Sequence, residues 1–177
     1  MTTFVALLRG INVGGRHIVP MQEFRNLLTE LGCLDVRTYI QSGNAVFRST
    51  SDARELESEI RDSVEQHFGF APRVLVLTAD QFLDIIASNP FPDAVAEPRF
   101  LHVSFFAEPP GDPDLDTLEA SKSKSERFAL TDSAFFLHAP DGIARSKLAE
   151  RVEKCLGVAT TGRNWNTVTR LADLVAE

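Results

Sequence analysis

At 177 residues and 44 % hydrophobic content, the chain has the material for one domain or two small ones with real cores. A net charge of −7 and a sequence pI near 5.1 argue against a protein held on nucleic acid by a general positive field. The opening run from Met1 to Arg9 has no basic segment before it, and no later run reaches membrane-spanning length. The sequence therefore predicts neither a leader nor a membrane anchor, and a cytoplasmic location. Cys33 and Cys155 stand far apart, outside any CxxC or Cys/His cluster, and are expected to be reduced, partly buried thiols near helix ends, with a disulfide as the lesser alternative.

Along the chain, Thr3 to Leu8 predicts a buried strand that ends in the glycine-rich turn Gly10-Ile11-Asn12-Val13-Gly14-Gly15-Arg16. Pro20 suits the first position of a helix that carries Phe24, Leu27, Leu28 and Leu31 at helical spacing and stops at Gly32. Val36 to Ser42 and Ala45 to Arg48 predict two strands joined by the two-residue turn Gly43-Asn44. Asp52 with Glu55 opens a second helix, whose stripe is Leu56, Ile60, Val64 and Phe68, stopped by Gly69. A strand over Arg73 to Leu77 follows, then a short helix behind the capping box Thr78/Gln81.

Three prolines between Asn89 and Pro98 interrupt all periodicity, which places a boundary between residues 1–90 and 98–177. The order then repeats: a strand over Phe100 to Ala107, a short helix opened by Asp112-Pro113, and a polar loop from Lys122 to Ser125. A hairpin follows over Arg127 to Leu130 and Ala134 to His138, then a helix from Ser146 to Leu156, a strand over Val158 to Thr161 and a helix from Asn166 to Val175. Each half reads βαββαβ plus a helix, the ferredoxin-like order. The Tyr39 to Phe47 stretch also parallels Phe128 to Phe136, as Val64-Glu65 and Gly69 parallel Val152-Glu153 and Gly157. The fold class expected is thus α+β, with two ferredoxin-like subdomains related by internal duplication. Phe4 to Leu8 and Val103 to Phe106 are apolar on nearly every residue, so both faces of each sheet should be covered.

In that topology the end of the first strand and the hairpin after the second strand share one sheet edge. Arg9, Asn12, Gly14, Gly15 and Arg16 therefore face the same way as Gln41, Ser42 and Asn44, the arrangement in which loops on a rigid sheet carry binding groups. The competing reading is a plain crossover beside a plain turn. Charge adds Lys147 and Arg163 as candidates. Through Thr50 five arginines face three acids, and from Arg145 to Arg170 six basic residues face two, while from Asp80 to Glu119 nine acids face Arg99 alone. Two basic segments that met would form a local anion site on an acidic chain. Asn164 and Trp165 join the list, Trp165 as a platform for a planar ligand or else as a core anchor with Asn164 or Asn166 capping the last helix.

The segments Leu8 to Gly15, Tyr39 to Asn44, Arg145-Ser146-Lys147-Leu148 and Arg163-Asn164-Trp165-Asn166-Thr167-Val168 together resemble a bacterial family known as domain of unknown function 1697. The resemblance implies a cytosolic protein of two ferredoxin-like subdomains. It supplies no activity, cofactor or catalytic residue.

Chemistry must then come from residue types. Gly10 to His17 misses the phosphate-binding G-x-x-x-x-G-K-[ST] pattern, because His17 has no hydroxyl for magnesium and no Walker-type acid follows a strand. The scattered histidines and carboxylates predict no metal site, and neither Ser42 nor either cysteine sits in a nucleophile motif. An RNA-recognition module would stack bases on Tyr39 and Phe47, a reading opposed by the acidic balance and the covered sheets. The leading expectation is a module binding a small anionic ligand, a nucleotide or phosphorylated metabolite, at the loop edge of the first half. A structural or protein-interaction module stands beside it, with an enzyme of unassigned chemistry third. Cofactor and oligomeric state are not legible.

Overall fold

Strands and helices alternate in an order that fits the apolar spacing closely. The computed structural model describes residues 1–177. The chain is mixed α+β, with two four-stranded antiparallel sheets and six α-helices. Its elements are β1 (Thr2–Arg9), α1 (Met21–Glu30), β2 (Leu34–Tyr39), β3 (Asn44–Ser49), α2 (Ala53–Phe68), β4 (Arg73–Thr78) and α3 (Ala79–Ala87). Then come β5 (Leu101–Phe105), α4 (Leu115–Ser121), β6 (Arg127–Leu130), β7 (Ala134–His138), α5 (Lys147–Leu156), β8 (Thr161–Asn164) and α6 (Trp165–Ala176). The chain forms two compact units, one of Met1–Asp84 with Thr169–Glu177 and the other of Ile85–Val168. The proline-rich stretch from Asn89 to Pro98 lies inside the second unit, as short 3-10 turns.

In the first unit the strand order is β2-β3-β1-β4. Phe4, Ala6 and Leu8 alternate onto one face of β1, where Ala45, Phe47 and Val76 join them against Phe24 and Leu28 of α1 and Leu56, Ile60 and Val64 of α2. Burying each of these large side chains stabilises the fold by about 1.5–3 kcal/mol. Val5, Leu7 and Val46 on the opposite face are also fully buried, as the unbroken apolar run of β1 requires. Phe47 is thus core and offers no platform for a base. Asp52 caps α2 by accepting from Glu55 N at 2.9 Å, and Gly69 closes the helix in the left-handed region. Thr78 and Gln81 form the reciprocal capping box, with bonds of 3.0 and 3.2 Å.

In the second unit the order is β6-β7-β5-β8. Phe135 and Leu137 of β7 pack with Leu118 of α4 and with Leu148, Val152 and Leu156 of α5. Phe136, Val103 and Phe105 fill the other face and are likewise buried. Two sequence expectations are corrected in this unit. Asp114, not Asp112, caps α4 by accepting from Thr117 N, after Asp114 N has bonded Cys155 O at 2.8 Å. The last strand begins at Thr161, not Val158, because Thr161 to Asn164 pair with Phe105 to His102, whereas Thr160 bonds the Glu153 carboxylate. Polar Gly162 and Arg163 can occupy an edge strand whose register is set by β5.

Both cysteines are free and buried. Burial, and after it Glu59, push the Cys33 thiol up to about 11. Since the protonated thiol is neutral, Cys33 adds no pH dependence below its ordinary value near 9; between there and about 11 only the unfolded chain ionises, so folding stability falls as pH rises. Urea titrations of the parent and Cys33→Ala should show the parent's advantage shrinking across that window. In the same assay at pH 7, Asp52→Ala should lose about 1 kcal/mol and Asp52→Asn far less.

Candidate functional site

The loop between β1 and α1 is built on residues that tolerate left-handed backbone. Gly14 and Gly15 both have positive φ, 58° and 71°, at the centre of a tight reversal that the Arg16 N to Val13 O bond closes at 3.0 Å. A rung outside it, Asn12 N to His17 O at 3.0 Å, makes Val13 to Arg16 a miniature hairpin. Asn12 and His17 are themselves left-handed, each at φ 53°. The His17 ring stacks on Phe70 at 4.3 Å and its Nδ1 lies 3.0 Å from Gly10 O, a contact in which the ring must donate.

Asn12 joins this loop to the hairpin between β2 and β3. Its Nδ2 donates to Val19 O at 2.9 Å and to Gln41 O at 2.7 Å, while its Oδ1 accepts from Val19 N at 2.8 Å. Both amide protons are committed to backbone carbonyls, so Asn12 acts as a clasp between the loops. The hairpin differs from the two-residue turn expected at Gly43-Asn44. Four residues, Ile40 to Gly43, make the reversal, and Asn44 is the first residue of β3, opposite Tyr39 and Leu7. Asn44 is fully buried, and its Nδ2 donates to Tyr39 O at 3.0 Å and Ser42 Oγ at 2.8 Å. Gly43 is fixed by close approach: its carbonyl accepts from Leu8 N at 2.8 Å, and a Cβ there would lie 2.7 Å from Leu8 Cβ and 2.8 Å from Ile11 Cδ1. Ile40 sits at φ 47°, where a β-branched side chain is strained.

Arg9, Arg16, Gln41 and Ser42 are thereby gathered on one edge of the first unit, around a frame made by Asn12, Gly14, Gly15 and Asn44. Arg9 stands opposite Arg73 in the β1–β4 register. Sequence reading missed Arg73, which only strand pairing brings to this edge, and also Ile40, whose backbone strain has no local sequence signal. The remaining candidates belong to the second unit. Asn164 Oδ1 accepts from Thr167 N at 3.1 Å and caps α6, and Trp165 is buried at 8 % exposure. Arg163 lies on β8, where burial lowers its guanidinium to about 10. Lys147 is the exposed first residue of α5, behind the buried cap Ser146, whose Oγ accepts from Ala149 N at 3.0 Å.

The fold places the chain in a broad class: a mixed α+β protein in which no helix is long and apolar enough to cross a membrane. It belongs to the family described as protein of unknown function (DUF1697), whose model matches residues 1–136. Among solved structures it is similar to the conserved bacterial protein SP0830 from Streptococcus pneumoniae, at 25 % identity and a TM-score of 0.71, with 98 % of each chain covered. No curated protein matches the chain significantly.

If Gly43 is required by contact, Gly43→Ala should destabilise the protein by roughly 2–4 kcal/mol, the sum of a left-handed alanine and an overpacked site. Asn12→Ala should cost roughly 1–3 kcal/mol and speed hydrogen exchange at Val19 N. Equilibrium unfolding with amide exchange measures both, and a neutral Gly43→Ala would contradict the geometry.

Proposed function

We propose that this protein binds a small anionic ligand, a nucleotide or phosphorylated metabolite, at the loop edge of its N-terminal half. The scaffold would be two ferredoxin-like subdomains, residues 1–90 and 98–177, descended from one duplicated βαββαβ unit. The matching strand orders β2-β3-β1-β4 and β6-β7-β5-β8 support that ancestry. The observation that carries the functional reading is the Asn12 clasp. It locks two loops of strained backbone beside a cross-strand pair of arginines, Arg9 and Arg73, with Arg16, Gln41 and Ser42 on the same edge. Left-handed and otherwise strained residues cluster at ligand clamps, and arginine forks suit phosphate and carboxylate. Two buried free cysteines are in keeping with the reducing cytoplasm.

A second reading, a protein-interaction surface, has its own specific support. Val13, Ile18 and Ile40 on the same two loops are exposed at 67, 54 and 49 %.

Arg9→Ala separates site from scaffold. For a binding role, the substitution abolishes thermal stabilisation by inorganic phosphate or a nucleotide panel and changes the free protein by only about 0–1 kcal/mol. If Arg9 instead holds the turn together, the free protein loses roughly 1–3 kcal/mol. That loss, with no ligand effect in the parent, would sink the binding reading.

A further inference from the structure

A cavity of about 600 Å³ opens wholly within the second unit, away in sequence from the glycine turn. Four segments converge on it: the end of α4, the loop into β6, the turn after β7 and the first turns of α5. They bring Lys122, Arg145, Lys147 and Arg151 to one wall system on a chain whose net charge is −7. Lys122 has a carboxylate partner, Glu119 at 3.4 Å. Arg151 donates only to the neutral Ser121 Oγ at 3.0 Å, and Arg145 and Lys147 have no carboxylate within ion-pair distance. These three cations, with Lys122, outnumber the carboxylates on the same wall and leave a local excess of positive potential that an anion among them would relieve.

The rest of the lining narrows the anion's chemistry. Glu126 and Asp141 also line the cavity, and so do Ser121 and Ser123. Glu126 is buried and accepts from Ser123 N at 2.9 Å, while Asp141 accepts from Ser125 Oγ. Each carboxylate keeps acceptor capacity that a phosphate cannot use and a hydroxyl can. No aromatic or large apolar side chain lines the space, so nothing stacks a base. The volume lies within the range of metabolite pockets. We propose that this cavity is a second ligand site of the protein, which takes a phosphorylated, hydroxyl-rich small molecule of the sugar- or polyol-phosphate class. Lys147, Arg151 and Arg145 hold its phosphate, and Glu126 and Asp141 accept from its hydroxyls.

Amide NMR titration of the full chain with glycerophosphate, inorganic phosphate, glycerol and adenosine monophosphate tests this. Glycerophosphate should give saturable shifts at Lys122, Ser123 and Arg145 to Lys147, with a lower dissociation constant than inorganic phosphate or adenosine monophosphate, and glycerol should give none. The double variant Lys147→Ala/Arg151→Ala should weaken that binding at least about tenfold, since each lost charged hydrogen bond is worth a factor of that order. Arg9→Ala should leave it unchanged, which keeps this site separable from the loop edge. Absence of saturable shifts at these residues in the parent overturns the proposal whether or not the double variant folds. So does loss of binding in Arg9→Ala, and binding of inorganic phosphate as tight as that of glycerophosphate removes the role of the two carboxylates.

Discussion

At Gly43 the backbone of the β2–β3 hairpin runs so close to β1 that only a hydrogen fits between them. Its carbonyl takes the Leu8 N–H at 2.8 Å, and a methyl group there would overlap both Leu8 and Ile11. Much of the loop edge follows from this contact. With Gly43 held on β1, Asn44 is drawn into the ladder and fully buried, and burial obliges its amide to find partners inside the hairpin, at Tyr39 O and Ser42 Oγ. The four residues left to reverse the chain include Ile40, which takes a left-handed conformation that an isoleucine adopts only when its surroundings leave no alternative. The Asn12 clasp then fixes the preceding loop to that hairpin through Gln41 O. The edge that carries Arg9 and Arg16 is thus over-determined by backbone contacts.

Charge is arranged differently from packing. The acids outnumber the bases, yet Arg9, Arg16 and Arg73 share the loop edge of the first unit and Lys122, Arg145, Lys147 and Arg151 share the cavity of the second. Several arginines form ion pairs at the surface: Arg37 with Glu177, Arg48 with Asp35 and Arg127 with Asp93, at 2.7–3.0 Å and worth little to stability. Arg127 adds His138 Nδ1 and the face of Phe91, and its hydrogen bond holds the Asp93 carboxyl below the usual carboxylate range. Such pairs organise a surface. A fold shared with a protein from Streptococcus pneumoniae at 25 % identity says nothing of chemistry by itself, because function resides in sites carried on folds.

The sequence by itself determined the order and kind of the α-helices and strands, most of which rest on local causes. Short apolar runs, apolar spacing at the helical period, the Asp52 and Thr78/Gln81 caps and the stops at Gly69 and Gly157 all act within a few residues of where they stand. It also determined that Arg9 and the β2–β3 hairpin share an edge, because the element order leaves the sheet few other topologies. The tertiary structure alone decided where pairing overrides local preference. Gly43-Asn44 has the composition of a two-residue turn, yet β1 captures Gly43 and moves Asn44 into the strand. Gly162 and Arg163 have no strand propensity, yet β5 sets their register. The sites divide the same way. Arg9, Arg16 and Lys147 stand out by charge and glycine context, but Arg73 reaches the edge only through the β4 register, and Lys122, Glu126 and Arg151 meet around one cavity only once α4 packs on α5. Such groups are distant in sequence, and nothing local records a meeting that long-range packing energy decides.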